Sequence, residues 1–187
     1  MTTSQRVRAA YADLLGEPEA EMRFEQNGLP VSVLKYAPSP ATGEVTLYLT
    51  AGISDLLQPD YKDEYRLEFY LGLLPEVDEV AQSLAWLGLM PQFTGVPLVH
   101  GNTWRYGEPV IPGYDFTGFF VLLSGDPIVP QIEVDGLHVR VLTAVPLFTD
   151  ELDYFRAHGT DALWDRMEEK DVPMWDPRRV STFHDAG

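Results

Sequence analysis

The sequence contains no cysteine. Disulfides, thiol catalysis and cysteine-ligated metal are excluded together, and the composition fits a reducing cytoplasm. Basic residues are also scarce, with 13 Lys and Arg against 29 Asp and Glu and a net charge of −16. Residues 1–94 hold 14 acids and 6 bases and residues 95–187 hold 15 acids and 7 bases, so each half carries −8. The whole surface is therefore expected to be negative. Nucleic acid and anionic membranes both select a concentrated basic patch, so neither is an expected partner. A basic protein, by contrast, would be steered in by such a field.

Long apolar runs are missing as well. Phe116–Ser124 is the longest candidate, far below the ~20 residues a membrane-spanning helix needs. The opening MTTSQRVRAAYADLL mixes Arg6, Arg8 and Asp13 among its apolar residues and lacks the core of a signal peptide. A cytoplasmic protein is the expectation. Only four histidines occur, with no H-E-x-x-H or other spaced ligand set, so neither metal nor cofactor is expected. Gly52-Ile53-Ser54-Asp55-Leu56 lacks the second glycine of a nucleophile elbow and reads as a cap or turn.

What is present is enough for a core. At 187 residues and 45% hydrophobic content, one domain spanning the chain is expected. Ser4 is the candidate cap of a first helix carrying Val7, Tyr11, Leu14 and Leu15 on one face. Strands are expected at Met22–Gln26 and Val31–Tyr36, joined by an Asn27-Gly28 turn, and at Glu44–Thr50 and Arg66–Leu71. Ala37–Gly43 and Pro59–Glu64 read as surface loops. Pro75 is expected to open a helix with Glu76, Asp78 and Glu79 in its first turn and Gly88 with Pro91 at its end. Gly95–Tyr114, dense in glycine, proline and aromatics, reads as a structured loop. Phe116–Ser124 and Ile128–Val134 follow as strands, the latter turning at Asp135-Gly136. Leu137–Phe148 is apolar enough to be covered on both faces. Thr149 is the candidate cap of the next helix, which ends at His158-Gly159, and Thr160 that of another. The tail is expected to be ordered to Trp175–Arg179 and loose beyond it.

Of the histidines, only His100 sits where it could serve as a ligand or catalytic group. The stretch His100, Asn102, Trp104, Arg105 and Tyr106 is the candidate protein-binding loop, because Trp, Tyr and Arg dominate binding hot spots. The alternative role for Trp104 and Tyr106 is to pin a glycine-rich loop to the core.

Four stretches in register resemble the suppressor-of-fused family. They are Thr46–Leu56 continuing through Tyr65–Pro75, His100–Thr103 with Gly107-Glu108-Pro109, Ala144–Glu151 with His158-Gly159 and Ala162-Leu163, and Asp176-Pro177-Arg178-Arg179. Together they span about residues 45–180. Asn102 stands where the family commonly has histidine and Ile53 where it commonly has methionine. The resemblance implies an α+β fold like the N-terminal lobe of suppressor of fused: a central, mostly antiparallel sheet packed by several helices. It also implies a protein-binding domain without catalysis, of one lobe where the animal member has two. Some single-lobe bacterial relatives are regarded as immunity proteins against toxins, and an acidic surface would suit a basic toxin. The rival expectations are a small-ligand binder or enzyme using the His100 loop, and a homo-oligomeric structural protein.

Overall fold

The computed structural model describes residues 1–59, 65–123, 128–134 and 136–184. The expected excursion at Pro59–Glu64, apart from Pro59, lies outside these residues, as do Ser124 and Asp135. The elements in chain order are α1 (Thr3–Leu15), β1 (Ala20–Gln26), β2 (Leu29–Tyr36), β3 (Thr46–Ala51), a 3₁₀ turn (Ile53–Asp55) and β4 (Tyr65–Leu73). Then come α2 (Val80–Thr94), β5 (Asn102–Arg105), β6 (Phe116–Leu122), β7 (Ile132–Val134), β8 (Leu137–Phe148), α3 (Thr149–His158) and α4 (Thr160–Glu169). All eight strands form one sheet in the order β1-β2-β3-β4-β8-β6-β5, with β7 beside the start of β8. Among the described strands, only the β4–β8 pairing is parallel. The architecture is α+β and mostly antiparallel, as expected.

Side-chain alternation along β8 assigns the helices to faces. Leu142 and Ala144 join the core under α2, together with Leu67, Phe69, Leu84 and Leu87. Val139 and Val141 point the other way, into the core under α1 with Val7 and Tyr11. Val145 and Leu147 lie on that same second face but pack under α3 and α4, against Leu152, Leu163 and Met167. The second face thus carries α1 over one half and α3–α4 over the other.

Several local expectations are corrected. Thr2, not Ser4, caps α1, sharing a reciprocal capping box with Gln5. Ser4 instead gives its N–H and hydroxyl to Asp55, 51 residues away, at 3.0 and 2.5 Å. Pro75 does not open α2, which begins at Val80. Glu76 and Asp78 are drawn instead to the nearly buried ammonium of Lys35, at 3.1 and 2.9 Å, and Asp78 also accepts from the Tyr48 hydroxyl at 2.8 Å. Asp78 raises the pKa of Lys35, and Lys35 in turn lowers that of Asp78. Gly88 does not stop α2 but lets it approach the 3₁₀ turn, since a Cβ there would lie 2.6 Å from Ile53 side-chain carbons. The helix continues through Pro91 to Thr94 and ends on left-handed Gly95. Within Gly95–Tyr114, Asn102–Arg105 is a strand, recruited by the open edge of β6. The strand expected at Ile128–Val134 is only Ile132–Val134. Phe148, not Thr149, precedes α3, and the Glu151 carboxylate reaches back to its N–H at 3.1 Å. Thr160 begins α4 after Gly159, and its hydroxyl goes to Gly101 O rather than to a cap. The tail is not loose directly after Arg179, because Ser181 and Thr182 are 4% and 5% exposed.

Candidate functional site

Strands β4 and β8 pair from Tyr65↔His138 to Tyr70↔Thr143 and then part. Beyond that point β4 follows β3 to Leu73↔Thr46, while β8 follows β6 to Phe148↔Phe116. The C-terminal segment closes the opening. Leu74 N–H donates to Trp175 O at 2.8 Å, and Arg179 Nη2 donates to Pro146 O at 2.8 Å. On the second face, between α1 and the α3–α4 pair, this leaves sheet that no helix among the described residues covers. A cleft of ≈ 790 Å³ lies there, within the range typical of ligand sites.

The cleft floor includes Tyr70, Gly72, Leu122, Thr143 and Val145, which alternation and register bring to one face. The Tyr70 hydroxyl is held beside Thr143 and the Ile128 backbone, and burial raises its pKa. One wall is α4, contributing Asp161, Trp164 and Asp165, and another is the tail at Met174 and Trp175. Trp164 Nε1 donates to Glu168 at 2.8 Å, one turn on, which fixes the ring along the helix. Leu123, Ile128 and Trp175 are 36%, 38% and 50% exposed and sit together on the lining. They form an apolar rim rather than scattered surface residues.

His100 lines this cleft. Its Nδ1 accepts the Leu123 N–H at 3.0 Å, so the neutral ring carries its proton on Nε2. The rest of the expected binding loop is engaged with the fold. Asn102 Oδ1 accepts the Val99 N–H at 2.8 Å and closes the turn into β5, a task that needs no imidazole. Gly101, at φ +86°, brings the loop against α4, where a Cβ would meet Thr160 Oγ1 at 3.1 Å. Trp104 packs half-buried on the α2 side of the sheet. Tyr106 stands edge-on to Phe119 at 6.0 Å and gives its hydroxyl to Ser83 O. Arg105, the exposed member, reaches Asp153 at 2.6 Å and Thr149 O at 3.0 Å. The structure therefore brings His100 to the cleft, while Trp104, Arg105 and Tyr106 are not in its lining.

Two buried carboxylates that composition alone did not single out hold the site's surroundings. Glu151, wholly buried, takes the Arg179 guanidinium on both oxygens at 2.7 and 2.8 Å and the Thr182 N–H at 3.0 Å. Arg179 also lies over the Phe116 and Phe148 rings, at 5.1 and 4.8 Å. Glu68, equally buried, accepts from Gly52 N, Ser54 N and the Thr50 hydroxyl at 3.0, 2.9 and 2.6 Å. Desolvation raises the Glu68 pKa, with these hydrogen bonds opposing it.

Residues 28–180 match the suppressor of fused protein (SUFU) family. The chain belongs to that family. The SUFU homolog from Neisseria gonorrhoeae superposes with a TM-score of 0.75 at 18% identity, covering 98% of both chains. The suppressor of fused chain of a Sufu–Fu complex gives 0.71 at 14% identity, covering 97% of this chain and 93% of that one. Drosophila Suppressor of Fused gives 0.67 at 16% identity, and there the match covers 97% of this chain but 50% of the fly protein's. At these identities the likeness is one of fold. No curated protein matches. Within the SUFU motifs, Thr50 to Asp55 and Glu68 are the hub around the 3₁₀ turn, and Glu151 with Arg179 locks helix α3 to the tail. Among the described residues no helix is long and apolar enough to cross a membrane.

Proposed function

We propose that residues 1–187 act as a non-catalytic protein-binding domain whose partner presents a basic surface. The observation that carries this reading is the uncovered stretch of sheet: an apolar-rimmed cleft with Asp161 and Asp165 in its lining, on a chain of net charge −16. A field of that sign favours encounter with a cationic protein, and the apolar rim supplies surface to bury once the two meet. A suppressor of fused relative solved as a complex with Fu supports the class of function. The finer reading is an immunity-type protein that neutralises a basic toxin in the cytoplasm.

The test is affinity capture with the tagged chain, followed by calorimetry on the purified pair. A stoichiometric complex with a basic protein, weakening steeply between about 0.05 and 0.5 M salt, is the expected result. A neutral or acidic partner with salt-independent affinity would overturn it. For the immunity reading, co-expression of this chain should restore growth to cells producing the partner. A second reading is favoured by one observation: His100 stands beside the cleft with one ring nitrogen engaged by Leu123, as a small-ligand site would arrange it. Filling the floor with Thr143→Trp separates the two, since protein binding is lost only if the partner enters the cleft.

A further inference from the structure

We propose that the cleft is a socket for an arginine or lysine side chain, flanked by an apolar residue, on the protein partner. This rests on the protein-binding reading above and names the chemistry of the segment that enters. The lining combines what an amphipathic cation requires. Tyr70, Trp164 and Trp175 supply aromatic surface for the stem and face of the side chain. Asp161 and Asp165, one helical turn apart on α4 and both exposed, set two carboxylates on the same flank as the indole of Trp164. Among the described residues that line the cleft there is no lysine and no arginine, so nothing in the lining neutralises those carboxylates.

A long basic side chain satisfies all of this at once. Its methylenes bury against apolar surface while its head remains at the polar edge, and a guanidinium is drawn both to indole faces and to carboxylates. An acidic segment would meet two like charges. A purely apolar one would leave them facing it without compensation. His100, with Nδ1 occupied by Leu123, has Nε2–H to offer a main-chain carbonyl of the incoming segment. The volume of ≈ 790 Å³ leaves room for a neighbouring apolar side chain against Leu123 and Ile128.

The probe is the peptide acetyl-Gly-Ser-Leu-Arg-Leu-Ser-Gly-amide, with twins carrying Gln or Glu in place of Arg, titrated into labelled protein by NMR. The arginine peptide is expected to shift the Trp164 and Trp175 indole signals. The glutamine twin should bind more weakly and the glutamate twin more weakly still. Asp161→Asn/Asp165→Asn, both at exposed positions, should weaken the arginine peptide about fivefold and leave the glutamine twin unchanged. Equal binding of the three peptides, shifts remote from the cleft, or no shift of either indole at millimolar concentration would overturn the proposal. The captured partner keeps the two levels apart. If it binds the wild-type chain and the Asp161→Asn/Asp165→Asn variant with the same affinity, the socket is wrong while the protein-binding function stands.

Discussion

Glu68 and Glu151 are both wholly sealed from solvent, and they are held in opposite ways. Glu151 faces a guanidinium 98% removed from water and forms a two-pronged ion pair with it. Glu68, among the described residues, accepts from two amide N–H groups and a hydroxyl rather than from a cation. The first arrangement ties the tail, and with it one wall of the cleft, to α3. The second ties the 3₁₀ turn to β4 and, through Asp55, to the start of α1. A buried carboxyl group can thus serve as a staple with or without a cation beside it, but the two kinds should fail differently.

The largest effect is expected on breaking the ion pair. Arg179→Met leaves Glu151 buried without its cation and frees Pro146 O, a loss of about 3–5 kcal/mol. Urea denaturation measures it directly. Adding Glu151→Gln should recover more than half of the loss, because the remaining carboxamide oxygen still serves Phe148 N or Thr182 N. No recovery would mean that tail packing, not the charge, dominates.

At Glu68 the expected loss is smaller. Glu68→Leu orphans the Gly52 and Ser54 amides and should cost roughly 2–3 kcal/mol. Glu68→Gln keeps an acceptor for both amides and should cost little.

The two glutamines sharpen the contrast through pH. The raised Glu68 pKa means the group's contribution to stability is fully present below the ordinary carboxylate range and is lost as pH rises through its folded value. Glu68→Gln removes that loss, so the variant should gain on the wild type as pH rises above the ordinary carboxylate range. Glu21 carries the opposite sign. Arg8, then Arg23, with help from Ser32, lower its pKa to about 2, so its contribution is present above the ordinary range and disappears as pH falls. Urea midpoints against the wild type should therefore change on opposite sides of the ordinary carboxylate range: Glu68→Gln gains on the wild type as pH rises above it, whereas the deficit of Glu21→Gln is constant there and closes as pH falls below it.

Much of the fold was legible because local pattern and tertiary contact agree there. The Asn27-Gly28 turn forms with both residues at positive φ, 52° and 79°, and β8 spans Leu137–Phe148 as its apolar run implied. Misreadings arose where a distant partner outbid a local signal. Asp78 lies where a helix dipole would favour it, yet Lys35 and Tyr48 hold it outside α2. Ser4 stands where a helix cap would, yet its N–H and hydroxyl go to Asp55, 51 residues away, and Thr2 caps α1. For the candidate site, the sequence directed attention to His100, which does line the cleft. It hid Trp164 and Trp175, because their role depends on where β4 and β8 part, a property of strand pairing across 73 residues between Tyr70 and Thr143. The one sequence-level trace was an indole set between carboxylates on α4, away from the Leu163–Met167 stripe.

The smallest effect on stability should accompany the largest on function. Trp175 belongs to the tail that Arg179 anchors, but its side chain is 50% exposed and its contribution to the fold is the main-chain oxygen that Leu74 N–H reaches at 2.8 Å. Trp175→Ala keeps that oxygen, so its cost should stay within about 0.5 kcal/mol. If the cleft is the contact face, the same change removes part of the aromatic wall and should weaken partner binding by about tenfold, as truncating an interface tryptophan commonly does. Arg179→Met is expected to lose binding too, but only in proportion to unfolding or release of the tail. Measuring affinity and urea midpoint for both variants separates the residue that holds the tail from the residue the tail presents. Equal affinity of Trp175→Ala and the wild type would leave Trp175 with neither role.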